Sequence, residues 1–209
     1  FVPMTVILDP VMTMATPEWL LVSTGIRSVD HAVESYCSPT ANPATEPLSL
    51  QGLRLLHRSL PAMVERPDDL AARLDGQFGM WQAISASIAG AGSGASPGIG
   101  YVLGSGYGVP HGHTSCVMLP AVLRWNASFN GERQKALSAA MGAPDRPAGD
   151  LIAELVQRIG QPGNLRAVGI KREDLPTIAE RAMTYAPVRR NPKKINGPAD
   201  VMEILEIAW

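Results

Sequence analysis

Apolar residues recur every three or four positions along almost the whole chain, and no fold built mainly from strands can satisfy that spacing. In the run from Asp68 or Asp69 onward they fall at Leu70, Leu74, Phe78, Trp81, Ile84 and Ile88. A stripe of Ile26, Val29 and Val33 marks another helix, and Leu48, Leu53, Leu56 and Leu60 mark a third, opened by Thr45-Glu46-Pro47 and kinked or ended by Pro61. Pro17 suits the first position of a short helix to Leu21, with Ser23 or Thr24 capping a second to Cys37. Later segments predict helices from Thr114 to Trp125, Arg133 to Met141, Asp150 to Ile159 and Asp174 to Tyr185, with a last one from Pro198 to near Trp209. Gly142 and Gly160 supply two of the stops. Only Thr5 to Leu8 reads as a strand, ended by Asp9-Pro10. No repeat of fixed period and no low-complexity tail interrupts this pattern. The fold class is therefore all-α and multihelical, with residues 11–209 as one helical domain and residues 1–10 as a strand and linker whose sheet lies elsewhere.

Composition narrows the function. With 18 basic and 19 acidic residues interspersed along 209, the chain carries a formal charge of −1 and no footprint for a polyanion, so nucleic acid is not an expected partner. The one basic cluster, Arg189, Arg190, Lys193 and Lys194, is broken by Asn191-Pro192 and reads as a solvated loop. Two cysteines, Cys37 and Cys116, each in an apolar helical run, predict reduced buried thiols and a cytoplasmic setting. No apolar run approaches the roughly 20 residues that span a bilayer, and the start lacks the basic region of a signal peptide. That start reads instead as the interior of a longer protein.

The chain has four histidines, and their settings differ. His57 lies among leucines on a helix and reads as structural. His31 shares a helix face with Arg27 and Ser35, beside Glu34. His111 and His113 follow a segment, Gly90 to Gly112, whose nine glycines and two prolines predict a loop-rich wall to a cleft. Within it Gly104-Ser105-Gly106-Tyr107-Gly108 follows no strand and so makes no dinucleotide loop. The methionines, Met80, Met118 and Met202 among them, fall in apolar runs and read as core filler.

These segments carry a family resemblance. Ser23-Thr24-Gly25-Ile26-Arg27-Ser28-Val29-Asp30-His31-Ala32-Val33-Glu34, then Ala41-Asn42-Pro43-Ala44-Thr45-Glu46, resembles the metal-binding helix of iron-containing alcohol dehydrogenases. Gly98 to Pro120, with Val102-Leu103-Gly104, Val109-Pro110-His111-Gly112 and Val117-Met118-Leu119-Pro120, resembles that family's second metal-binding stretch. Asn126, Asn191-Pro192 and the terminal Ala208-Trp209 also fit, so the likeness spans nearly the whole chain in order. It implies the helical half of a dehydroquinate synthase-like, two-domain enzyme. The other half, in cis or in trans, would bind NAD or NADP, and the whole would be a homo-oligomer reducing a small carbonyl substrate or oxidising an alcohol. In metal-dependent members an aspartate and three histidines hold iron or zinc, which polarises the substrate oxygen.

The likeness breaks at the ligands. Arg27 stands at the aspartate position, Pro97 at one histidine position and Tyr101 at a further active-site histidine, leaving His31 and His111 as an incomplete metal set. Asp30 does not replace the lost ligand, because it projects about 100° around the helix from His31. The maleylacetate reductase-like branch, which also departs from that aspartate, is the nearer likeness. There Arg27 and a protonated histidine would bind an acidic keto substrate and offset alkoxide charge without a metal. His111, His31 and Tyr101 are then the catalytic candidates, with Arg27 and His113 binding substrate. Tyr101 has two readings, proton donor to the carbonyl or filler of the cleft wall. Two other functions compete with the oxidoreductase: a non-catalytic helical scaffold or assembly subunit, and a helical binder of small anions through Arg27 and the histidines.

Overall fold

The computed structural model describes residues 3–209, and among these every regular element is helical. In order they are α1 (Glu18–Cys37), α2 (Glu46–Glu65), α3 (Leu70–Ala86), α4 (Ala95–Tyr107), α5 (His111–Ala140), α6 (Ala148–Arg158), α7 (Leu175–Ala182), α8 (Ala186–Arg189) and α9 (Pro198–Ile207). Short 3-10 turns lie at Met12–Ala15, Arg166–Val168 and Arg172–Asp174, and a π turn at Ser87–Ala91 extends α3. Many boundaries follow the expected chemistry. The Asp69 carboxylate accepts the Ala72 N–H at 3.0 Å to start α3, Pro198 opens α9, and Gly142 and Gly160 adopt positive φ just past the helices they stop.

Helix α5 is the spine, 30 residues long and buried on two sides. One face packs Cys116, Leu119, Leu123 and Leu137 into a core with Ile26, Val29, Leu53, Leu60 and Ile152 from α1, α2 and α6. The other packs Val117, Met118, Val122 and Trp125 into a second core with α4, α7 and α9. No helix among the described residues is long and apolar enough to cross a membrane. Cys37 and Cys116 are unbridged and buried, and burial pushes both thiols up to about 12.

Thr5 to Leu8 pair with no strand among the described residues, and Val6 and Ile7 lie exposed. Several expectations about the helices are corrected. The two helices expected before Cys37 are one, because the Thr24 hydroxyl donates back to the Leu20 carbonyl at 2.7 Å instead of capping a new start. Pro61 neither ends α2 nor marks its boundary. Helix α5 begins at His111, not Thr114, and runs through Pro120 into the segment expected as a separate helix from Arg133. A break at Asn130 (φ −122°, ψ 29°) marks that junction, and Gln134 Nε2 donates to the Leu123 carbonyl at 2.8 Å. The loop-rich wall expected over Gly90 to Gly112 is mostly helix α4. Its glycines serve close packing rather than turns: a Cβ on Gly98 would fall 2.5 Å from Val188 Cγ2, and one on Gly100 would fall 2.9 Å from Thr114 Oγ1.

Candidate active site

Three helices meet where the sequence placed its chemistry: α1 supplies Arg27, Asp30, His31 and Glu34, α4 supplies Ser96, and α5 supplies His111 and Ser115. Close approach of α5 to α1 is built on Gly112, whose Cβ would lie 2.5 Å from the Ser23 carbonyl carbon. His111 and His113 consequently stand on the first turn of a helix and not on a loop.

Arg27 is buried, and its Nη1 donates to Asp30 Oδ2 at 3.0 Å and to Ser115 Oγ at 3.2 Å. The same carboxylate oxygen accepts the Ser115 hydroxyl at 2.6 Å and the Ser96 hydroxyl at 2.9 Å. Asp30 Oδ2 therefore ties three helices together, while Asp30 Oδ1 and Arg27 Nε have no partner among the described residues. Beside this group the Glu34 carboxylate accepts the Gly94 and Ser96 N–H groups at the start of α4. Burial, reinforced by the Asp30 charge, raises Glu34 to about 8, so its carboxyl is largely protonated at neutral pH.

The histidine pair lies in the field of Arg27. Burial, then the Arg27 guanidinium, lowers the His31 pKa, with Asp30 opposing and His111 adding a smaller push downward. Burial and Arg27 lower His111 in the same order, again against Asp30. Both shifts favour the neutral imidazole in the chain alone, so the protonated histidine expected beside Arg27 would need a bound carboxylate to offset that field. The remaining candidates make other contacts. His113 packs edge-on against Trp19 at 6.0 Å between ring centroids, and Tyr101 tilts against Tyr185 at 5.6 Å. No hydrogen bond joins either to the Arg27 group among the described residues. His57 on α2, lowered by burial and by Arg158, takes no part.

The donor set does not fit iron or zinc. Among the described residues no three His, Cys, Asp or Glu side chains gather as ligands, Arg27 places a guanidinium beside the two imidazoles, and Asp30 Oδ2 is occupied by three donors. Sequence reasoning missed Asp30, Glu34, Ser96 and Ser115 as site residues. The i, i+3 spacing of Arg27 and Asp30 was the available signal, whereas nothing local marks Ser96 or Ser115, which meet Asp30 only through the tertiary fold. The Asn191-Pro192 segment is likewise anchored and not simply solvated: the Asn126 and Asn191 amides exchange hydrogen bonds at 3.1 and 2.7 Å, and Lys193 Nζ sits 3.8 Å from the Trp125 ring centroid.

Glu34 makes folding pH-dependent with a definite sign. Its folded pKa lies above the unfolded value near 4.5, so the folded state holds the extra proton. The associated stability is complete below the unfolded value and is lost as pH rises through about 8. The lowered histidines act oppositely, their contribution falling away as pH drops below the ordinary imidazole value of 6.5. Wild type minus Glu34→Gln isolates the carboxyl: the melting-temperature difference should turn against wild type between pH 5 and pH 9. A pH-independent difference would mean that Glu34 ionises as it does in water.

The chain is similar to known proteins over most of its length. A family profile described as "Fe-containing alcohol dehydrogenase family, C-terminal" matches residues 21–209. Maleylacetate reductase 1 of Cupriavidus pinatubonensis is 30% identical over 181 residues, which are 87% of this chain and 50% of that protein. 1,3-Propanediol dehydrogenase of Citrobacter freundii is 32% identical over 222 residues, 99% of this chain and 55% of that protein. Among solved structures, a 1,3-propanediol oxidoreductase superposes with a TM-score of 0.90 at 30% identity, covering 96% of this chain and 55% of its own. The maleylacetate reductase of Rhizobium sp. strain MTP-10005 superposes with a TM-score of 0.85 at 25% identity, covering 96% and 55%. The chain thus spans about half the length of the curated relatives it matches.

Proposed function

Because the chain belongs to the Fe-containing alcohol dehydrogenase family, as its C-terminal part, we propose that it forms the helical half of the active site of an NAD(P)-dependent oxidoreductase interconverting a ketone or keto acid and the matching alcohol. The other half, in the same polypeptide or a second one, binds the nicotinamide nucleotide, and the working enzyme is a homo-oligomer. The observation that carries this reading is the buried Arg27–Asp30 pair beside His31 and His111, on the segments that resemble the metal-binding stretches of metal-dependent relatives. When bound, the nicotinamide supplies or accepts the hydride.

The chain's own residues supply orientation and charge. His111, exposed on the first turn of α5, donates an N–H to the carbonyl oxygen as negative charge grows there. His31 lines the same site one helical turn from Arg27. The Arg27 guanidinium, with Nη1 held by Asp30 and Ser115, orients the acidic end of a keto acid. A bound carboxylate offsets the Arg27 field and raises both histidine pKa values, making His111 a better proton donor once substrate is present. His113 and Tyr101 border the site. Of the substrates named for relatives, the acidic maleylacetate suits Arg27 better than the neutral propanediol.

The test is the full-length enzyme containing this chain, treated with chelator and assayed with NADH and NADPH on small keto acids and matched neutral ketones. Activity should survive chelation and favour the keto acids. The 209-residue chain alone should bind neither nucleotide by calorimetry, since no segment among the described residues supplies the strand, glycine turn and helix that cradle a pyrophosphate. Activity abolished by chelation and restored by iron or zinc would overturn the reading.

A further inference from the structure

Helices α1, α2 and α3 enclose, with the 3-10 turn at Met12–Ala15, a cleft of about 250 Å³ that shares no lining residue with the Arg27–His31–His111 group. Its walls are largely apolar, made by Leu21, Leu56, Leu60, Met63 and Met80. One cation lies in them. Arg73 is 6% exposed, and its bonds run to neutral oxygens: Nε to the Pro67 carbonyl at 2.7 Å, and Nη1 to the Thr13 carbonyl and hydroxyl at 2.9 Å each.

No carboxylate among the described residues pairs with Arg73, in contrast to Arg27, the other buried arginine, which has Asp30. A buried guanidinium without a counter-charge is costly, and neutral carbonyls offset only part of that cost. Its Nη2 has no partner among the described residues, and Gln77 Oε1 in the same wall is buried and unpartnered. Size sets the rest of the ligand. An engineered apolar cavity of roughly 150 Å³ takes a benzene molecule, so this cleft has room for a ring or a short alkyl chain with a carboxylate attached.

We propose that this cleft is a binding site for a small amphipathic monocarboxylate, its hydrocarbon against Leu56, Leu60 and Met63 and its carboxylate paired with Arg73. The ligand supplies the counter-charge that the chain withholds, and its apolar part is held by area removed from water. The site is independent of the proposed catalytic reading, since neither needs the other's residues.

Calorimetry on the 209-residue chain with hexanoate, 1-hexanol and hexylamine tests the charge requirement. Hexanoate should bind at least tenfold more tightly than hexanol, and hexylamine should not bind. In ¹³C-methyl methionine spectra the Met63 and Met80 methyl signals should move on hexanoate addition, which separates this cleft from any acid binding at Arg27. Met80→Trp, on the exposed rim, should weaken hexanoate tenfold or more at an unchanged melting temperature. Arg73→Lys should keep the preference for the acid and Arg73→Gln should erase it. Equal affinity for hexanoate and hexanol, no binding by either, or binding that leaves both methyl signals in place would overturn the proposal and leave Arg73 as a tie between Thr13 and Pro67.

Discussion

Replacing Asp30 with alanine should lower the free energy of unfolding by about 3–5 kcal/mol, the range for removing one partner of a buried ion pair. The effect is large because one oxygen, Oδ2, accepts from Arg27, Ser96 and Ser115, so its loss leaves a buried guanidinium without a counter-charge and two hydroxyls without their acceptor. Against a total of roughly 5–15 kcal/mol for a folded domain, that is a large fraction. Denaturant titration of Asp30→Ala, Ser96→Ala and the double variant Arg27→Met/Asp30→Leu separates the contributions. Ser96→Ala should cost about 1 kcal/mol, and the double variant should recover most of the loss, since an apolar pair leaves no unpaired charge. A loss below about 1 kcal/mol for Asp30→Ala would show that Arg27 reaches water or another acceptor when its partner is gone.

In the full-length enzyme His111→Ala should lower kcat by about a hundredfold or more, in line with removing a preorganised donor to a developing oxyanion. His111 is exposed at the start of α5, so this variant should melt near the wild-type temperature. Arg27 needs a gentler probe, because Arg27→Ala would leave Asp30 buried without a counter-charge. Arg27→Lys keeps the charge while losing the planar fork, and should chiefly raise KM for an acidic substrate. A folded His111→Ala enzyme with near-normal kcat would remove the imidazole from the mechanism.

The helical architecture was legible because core stripes and caps are local signals. Asp69, Pro198, Gly142 and Gly160 each mark in sequence the boundary they make in space. The failures share one cause, a residue whose ordinary local meaning is overridden by packing. Glycines at 98, 100 and 112 looked like loop residues but allow helices to approach within less than a side chain's width. Thr24 looked like a cap and instead bonds back along a helix that α2 and α5 cover. At the site, Arg27, His31 and His111 could be chosen from sequence, whereas the convergence of Ser96 and Ser115 on Asp30 depends on contacts across 66 and 85 residues. No local pattern encodes such a meeting.

Helix α5 also bears on how this scaffold changes over generations. From Thr114 to Leu123 ten consecutive residues are buried, so this stretch has no solvent-facing side on which neutral drift can accumulate. Immediately before it, His111 is exposed at a position that the buried stretch and Gly112 hold fixed. Side chains at such a position can be exchanged without moving the frame that aims them. A lineage can therefore swap the chemistry at the mouth of this helix while inheriting the rest of it almost unaltered.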